Sequence, residues 1–193
     1  MEIDVRLAVI RERLAQRPHV RFAGEVGRRA AVAAVLRAAP ESTELLLIKR
    51  AERVGDPWSG HMALPGGHHD QTDADLLATV KRETLEEVGL DLSQHELLGP
   101  LDEHAATVKG VFSGLLLAPF VFALSRPDEL RLNHEVAEAI WVPLGPIVRG
   151  ERDIIQELEH DGRPVRFPGY RVGDHIVWGL THRVLSNLFG ILT

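Results

Sequence analysis

The stretch Gly66–Leu90, GGHHDQTDADLLATVKRETLEEVGL, decides how this chain is read. It opens on a Gly-Gly turn and then turns periodic. The spacing predicts a helix over Asp73–Val88, capped by Thr72 or Asp73 and stopped by Gly89. At about 100° per residue, Glu83, Glu86 and Glu87 fall at i, i+3 and i+4, on one face. Leu77, Val80, Thr84 and Val88 form a neighbouring stripe suited to the core. The acidic face therefore stands at a rim or in a cleft. Three carboxylates there repel one another unless cations satisfy them. Oxygen-only donors suit a hard cation such as Mg²⁺ or Mn²⁺. The plainer alternative is a solvated face balanced by Lys81 and Arg82.

Composition narrows the class. The chain has 193 residues, 45% hydrophobic and 26% charged, enough for one domain with a sizeable core. A formal net charge of -6 argues against sequence-independent binding of nucleic acid. There are no cysteines, which excludes disulfides, thiolate metal sites and thiol nucleophiles. The N-terminal residues mix charges with apolar side chains, unlike a signal peptide. No stretch approaches the roughly 18 apolar residues needed to span a bilayer. These features imply a cytoplasmic protein without a membrane partner.

Outside the opening stretch, apolar periodicity predicts a helix over residues 2–16, ended by Pro18. Its apolar residues could pack on the domain itself or against a second copy, which leaves a homodimer open. Arg29–Leu36 and Glu44–Ile48 read as a hairpin around the turn APES. Residues 52–67 form a Gly- and Pro-rich loop that carries Trp58 and Met62. Strands are expected at His95–Leu98, His104–Phe112, Leu115–Leu124, Ala139–Val142, Ile154–Leu158 and Val165–Phe167. The last two are joined by the turn HDGRP. Pro143–Arg149 reads as a helical turn and Trp178–Leu192 as a closing helix.

Gly67, Arg82-Glu83, Glu86-Glu87 and Gly89-Leu90 resemble the Nudix box. Its usual form is G, five residues, E, seven residues, REUxEExGU, where U is bulky and apolar. Thr84 stands at the first U position. Fourteen residues separate Gly67 from Arg82, where thirteen are usual, and the early acidic position holds no Glu. Asp70, Asp73 or Asp75 is available to replace it. The extra residue is similar to the coenzyme A pyrophosphatase branch, whose upstream pattern is LLTxR(S/A)xxxR followed by GxxxFPGG. Leu46-Leu47-Ile48-Lys49-Arg50-Ala51 and Gly60–Gly67 (GHMALPGG) resemble it. Gly55 stands where the second Arg belongs, with Arg53 two residues earlier, and Leu64 replaces Phe. LAPFV (117–121) and VWGLT (177–181) are similar to that branch's VTPFV and IWGLT. EVAEAIWVPL (135–144) is similar to a general Nudix strand.

The resemblance implies an α/β fold: a Nudix-like α/β/α sandwich with a mixed central sheet and the Nudix loop-helix-loop. It implies one domain over residues 1–193, with a helical extension at 1–27 and the core at 28–193. The implied activity is divalent-metal-dependent hydrolysis of a nucleoside diphosphate linked to a further group X. Coenzyme A would yield adenosine 3′,5′-bisphosphate and a phosphopantetheine product. Glu83, Glu86, Glu87 and a Gly67 carbonyl would hold Mg²⁺ or Mn²⁺, and Arg82 would orient a glutamate. The general base would be one of the motif glutamates or a carboxylate from elsewhere in the fold, for which Glu135, Glu138, Asp102 and Glu103 are the candidates. Arg50 and Arg53 are candidates for phosphate, and Trp58 for stacking or apolar packing. His61, His68 and His69 lack the spacing of a zinc site. The alternatives are another nucleotide substrate (a nucleotide sugar, dinucleotide polyphosphate or nucleoside triphosphate) or a Nudix-like module that binds without catalysis.

Overall fold

The computed structural model describes residues 5–40, 42–56, 58–108, 111–160 and 163–193. Its centre is an eight-stranded mixed sheet. β1 (Arg28–Ala38) and β2 (Thr43–Arg50) form the expected hairpin. β3 (Met62–Ala63) pairs with β2, and β4 (Gly66–His68) with β1. β5 (Glu96–Pro100) and β6 (His104–Val108) flank β7 (Val111–Ala123). β8 (Val136–Pro143) lies along β2. β1 and β7 run parallel, with Arg28 opposite Leu115 through Leu36 opposite Ala123, which makes the sheet mixed.

β1 and β7 are buried on both faces, so they read as continuous apolar runs rather than alternating ones. On one side, Ala30, Ala34, Leu36, Leu45, Leu47, Leu117 and Val121 pack with Ile10 and Leu14 of α1 (Leu7–Gln16). Val184, Leu185, Leu188 and Phe189 of α4 (Gly179–Gly190) join them there. On the other side, Ala31, Ala33, Val35, Leu46, Ile48 and Phe122 meet Val80 and Val88 of α2 (Leu76–Val88). The result is the α/β/α sandwich. The short α3 (Leu144–Val148) follows β8. A second sheet, β9 (Asp153–His160), β10 (Arg163–Val172) and β11 (His175–Trp178), contributes Tyr170, Val172 and Val177 to the first core.

Several expectations shift. α1 begins at Leu7, and residues 2–4 of the expected helix lie outside the described residues, as do residues 161–162 of the HDGRP turn. α2 begins after Asp75, whose side chain accepts from Ala78 N–H at 2.7 Å; neither Thr72 nor Asp73 is the cap. Gly89 ends the helix as expected, at φ 72°. Strand β7 continues through Ser113 and Gly114, where the apolar pattern breaks, because β6 supplies the neighbouring ladder. The apolar face of α1 packs on this chain's own core. Arg11 adds a two-pronged ion pair to Glu96, at 2.7 and 2.6 Å.

Candidate active site

Two glycines build the floor. Gly66 has φ 142°, and a Cβ there would stand 2.2 Å from the Ala31 carbonyl oxygen. Only glycine lets this backbone lie so close against β1. A Cβ on Gly67 would stand 2.5 Å from the Glu83 carboxylate, so the β4 backbone and Glu83 are in intimate contact.

The three helix glutamates occupy different environments. Glu87 is 4% exposed and turns inward beside Val88. Among the described residues its carboxylate accepts from Gly66 N–H alone, at 2.8 Å. Desolvation pushes Glu87 up to about 7, and the neighbouring charges of Glu83 and Glu135 push the same way. Desolvation also raises Glu83, against the pull of Arg82. Glu86 is outermost, its side chain 54% exposed. Arg82 gathers the set: Nη1 donates to Glu83 at 2.9 Å and to Glu86 at 3.3 Å, and Nη2 to the His68 carbonyl at 3.2 Å.

Of the three aspartates offered for the early acidic position, Asp73 is the one bonded to Arg82. Asp73 takes the Arg82 guanidinium on both oxygens, at 2.9 Å each, and also accepts from Thr79 Oγ1 and Asp70 N–H. The guanidinium holds the Asp73 carboxyl well below the usual carboxylate range. Asp75 is the helix cap, and Asp70 accepts from Thr72 N–H and Oγ1. The signal was in the spacing. Asp73 follows Gly67 by the family's own first interval of five residues, so the extra residue falls between Asp73 and Arg82.

Glu135 reaches this cluster from the start of β8, and its charge acts on both Glu83 and Glu87. Arg53 Nη2 donates to Glu135 Oε1 at 2.9 Å. Arg50 donates to Asp56 at 2.9 Å while its buried Nε has no partner among the described residues. The pairing of β2 with β8 slips between Lys49 and Arg50, a bulge of the kind that re-aims a side chain. Trp58 is half exposed on the same loop. Asp56, unremarked in the sequence, ties Arg50 to the Trp58 backbone, whose N–H it accepts at 2.9 Å.

Other candidates lie elsewhere. Asp102 accepts from Val20 N–H and Asn187 and pairs with Arg17, and Glu103 accepts from Phe22 N–H. Both pin residues 17–22 to the core. Glu138 pairs with His175 at 3.0 Å. His69 bonds Thr79 at 2.9 Å, and His61 lies among aromatic rings. Among the described residues, no three His, Asp or Glu side chains are gathered closely enough to hold a metal ion. The reason is local: Arg82 draws Glu83 and Glu86 to itself while Glu87 binds the Gly66 N–H. The donor chemistry nevertheless fits a hard cation, since no Arg or Lys among the described residues bonds the buried Glu87 carboxylate and the Glu83 charge acts on it.

Comparisons with known proteins agree with this geometry. The NUDIX domain family matches residues 27–158. An uncharacterized protein of Schizosaccharomyces pombe is 48% identical over 111 residues, 55% of this chain and 34% of that protein. The human mitochondrial coenzyme A diphosphatase NUDT8 is 34% identical over 146 residues, 71% of this chain and 58% of that protein. The chain thus spans less than two thirds of either relative. A MutT/nudix family protein from Enterococcus faecalis shares the fold at TM-score 0.56 and 17% identity, over 96% of this chain and 68% of that one. The match spans the Gly66–Gly67 floor, the acidic helix and Glu135, and the chain belongs to the NUDIX domain family.

Proposed function

We propose that the protein is a pyrophosphohydrolase that cleaves a nucleoside diphosphate linked to a further group, with coenzyme A or a derivative as substrate. One observation carries the chemistry: a buried Glu87 with Glu83 and Glu135 in its field, and the two arginines Arg50 and Arg53 at its edge. Such a site has negative charge for cations and positive charge for phosphate.

A divalent cation held by Glu83, Glu86, Glu87 and the Gly67 carbonyl would neutralise phosphate charge and acidify a bound water. The chain's own residues do the rest. Arg82, fixed by Asp73, holds Glu83 and Glu86 in place. Arg50 and Arg53 exchange their carboxylate partners for phosphate oxygens. Release of Arg53 frees Glu135 to take the proton from the attacking water. The new phosphorus–oxygen bond forms as the bridging one breaks, and the nucleotide leaves with the bridging oxygen.

Support for coenzyme A comes from the LLIKRA, LAPFV and VWGLT segments and from the relative named as a coenzyme A diphosphatase. Product mass analysis with coenzyme A, a nucleotide sugar, a dinucleotide polyphosphate and a nucleoside triphosphate, each with Mg²⁺ and with Mn²⁺, tests the reading. Adenosine 3′,5′-bisphosphate from coenzyme A is the expected result. Faster turnover of another substrate would reassign the specificity. Binding without turnover across the whole panel would make the protein a binding module.

A further inference from the structure

Arg50 stands between two different surroundings. Its charge acts on Glu87 on one side and on His61 on the other, and its N–H donates to the His61 carbonyl at 3.0 Å. Beyond it the rings begin. Trp58 meets His61 edge-on, centroids 5.8 Å apart and planes at 80°. His61 meets Trp178 at 4.9 Å, and Trp178 meets Phe167 at 5.3 Å. Trp58 and His61 come from the loop before β3, whereas Phe167 and Trp178 come from β10 and β11. The second sheet therefore backs the loop with fixed aromatic surface.

Trp58 ends this ladder with 52% of its surface exposed. A ring that served only to plug the core would be covered. The rings of the pair stand nearly perpendicular, so the exposed indole and the imidazole meet at a corner and face different directions. Burial pushes the His61 imidazole down, so at neutral pH it offers one donor and one acceptor to the edge of a heterocycle. Asp56 sets the spacing, because one of its oxygens takes the Trp58 N–H and the other the Arg50 guanidinium.

We infer that the corner of Trp58 and His61, backed by Trp178, seats the purine base of a nucleotide whose phosphates lie on Arg50. The inference rests on the nucleotide-hydrolase reading above and adds which half of the substrate is read here. A bicyclic base matches the area of the indole, and stacking of a base on an aromatic side chain changes affinity by roughly tenfold or more.

Calorimetric binding of adenosine 5′-monophosphate and of ribose 5-phosphate to the full chain tests it without turnover. The wild type is expected to prefer the adenosine ligand about tenfold or more. Trp58→Ala is expected to abolish that preference while ribose 5-phosphate binds as before, and Trp58→Phe to keep most of it. Equal affinity of the wild type for both ligands, or a preference that survives Trp58→Ala, overturns the proposal. Hydrolysis of an adenosine diphosphate ester is followed in parallel. Turnover without the base preference sinks the seat alone, whereas base preference without turnover of this ester or of any substrate in the panel above sinks the hydrolase reading and leaves the seat.

Discussion

Glu87 is a carboxylate held where its charge is costly. Its folded value, about 7, lies above its ordinary 4.5, so the folded chain holds the proton more tightly than the unfolded one. Stability is therefore lost as pH rises from the unfolded value through the folded one, by up to about 3 kcal/mol. Glu87→Gln removes this loss. Metal-free thermal melts between pH 5 and 8 should show the variant gaining on wild type as pH rises, while turnover falls by at least about a hundredfold. Added Mg²⁺ should raise the melting temperature of wild type more than that of the variant.

Asp73 behaves in the opposite sense. Its folded value is depressed by Arg82, so its contribution is present above the ordinary carboxylate range and lost as pH falls through it. Asp73→Asn should lower the melting temperature at pH 7 by roughly 5 °C, with the gap narrowing below pH 4. If the gap stays constant with pH, the Arg82–Asp73 pair is not its source. Glu83, Glu86 and Glu87 were legible as one face from spacing alone. Their unequal burial was not, because it depends on where β1 and β4 pass.

At the scale of the element, α2 carries a local conflict. Thr84 occupies the position where the Nudix pattern asks for a bulky apolar residue, and its buried hydroxyl has no partner among the described residues. An unpaired buried hydroxyl costs about 1–3 kcal/mol, and valine has nearly the same shape. Thr84→Val should stabilise the fold by about 1 kcal/mol in denaturant melts, with kcat unchanged. The β4 floor allows no such gain. Gly66→Ala meets the Ala31 carbonyl and a positive φ together, and should cost more than about 2 kcal/mol. The helix, its Gly89 stop and the β1–β2 hairpin could be read from periodicity and turn residues. β3, β4 and β11 could not, because two to four residues are too few to show a period.

At the scale of the molecule, two neighbouring carboxylates tie the N-terminal segment to the sandwich, Glu103 at Phe22 and Asp102 over a wider set. Asp102 joins Val20, Arg17 and Asn187 of α4. Asp102→Ala should lower the melting temperature and hasten proteolysis within residues 17–27, and leave kcat/KM within about twofold. A large loss of kcat at unchanged fold would instead return Asp102 to the candidates for general base.

The sequence by itself determined the local features: the acidic helix face, the glycines that approach it, the first hairpin and the oxygen-only donor set. Each follows from residue type and spacing within one segment, where backbone geometry dictates which side chains share a face. Tertiary structure alone decided which carboxylate Arg82 grips, that the Glu135 charge acts on Glu87, that Asp102 and Glu103 serve the N-terminal segment, and that His61 meets both Trp58 and Trp178. These pairings join residues far apart in the chain, and their partners are set by strand order, a bulge in β2 and the packing of the second sheet, which no local period encodes.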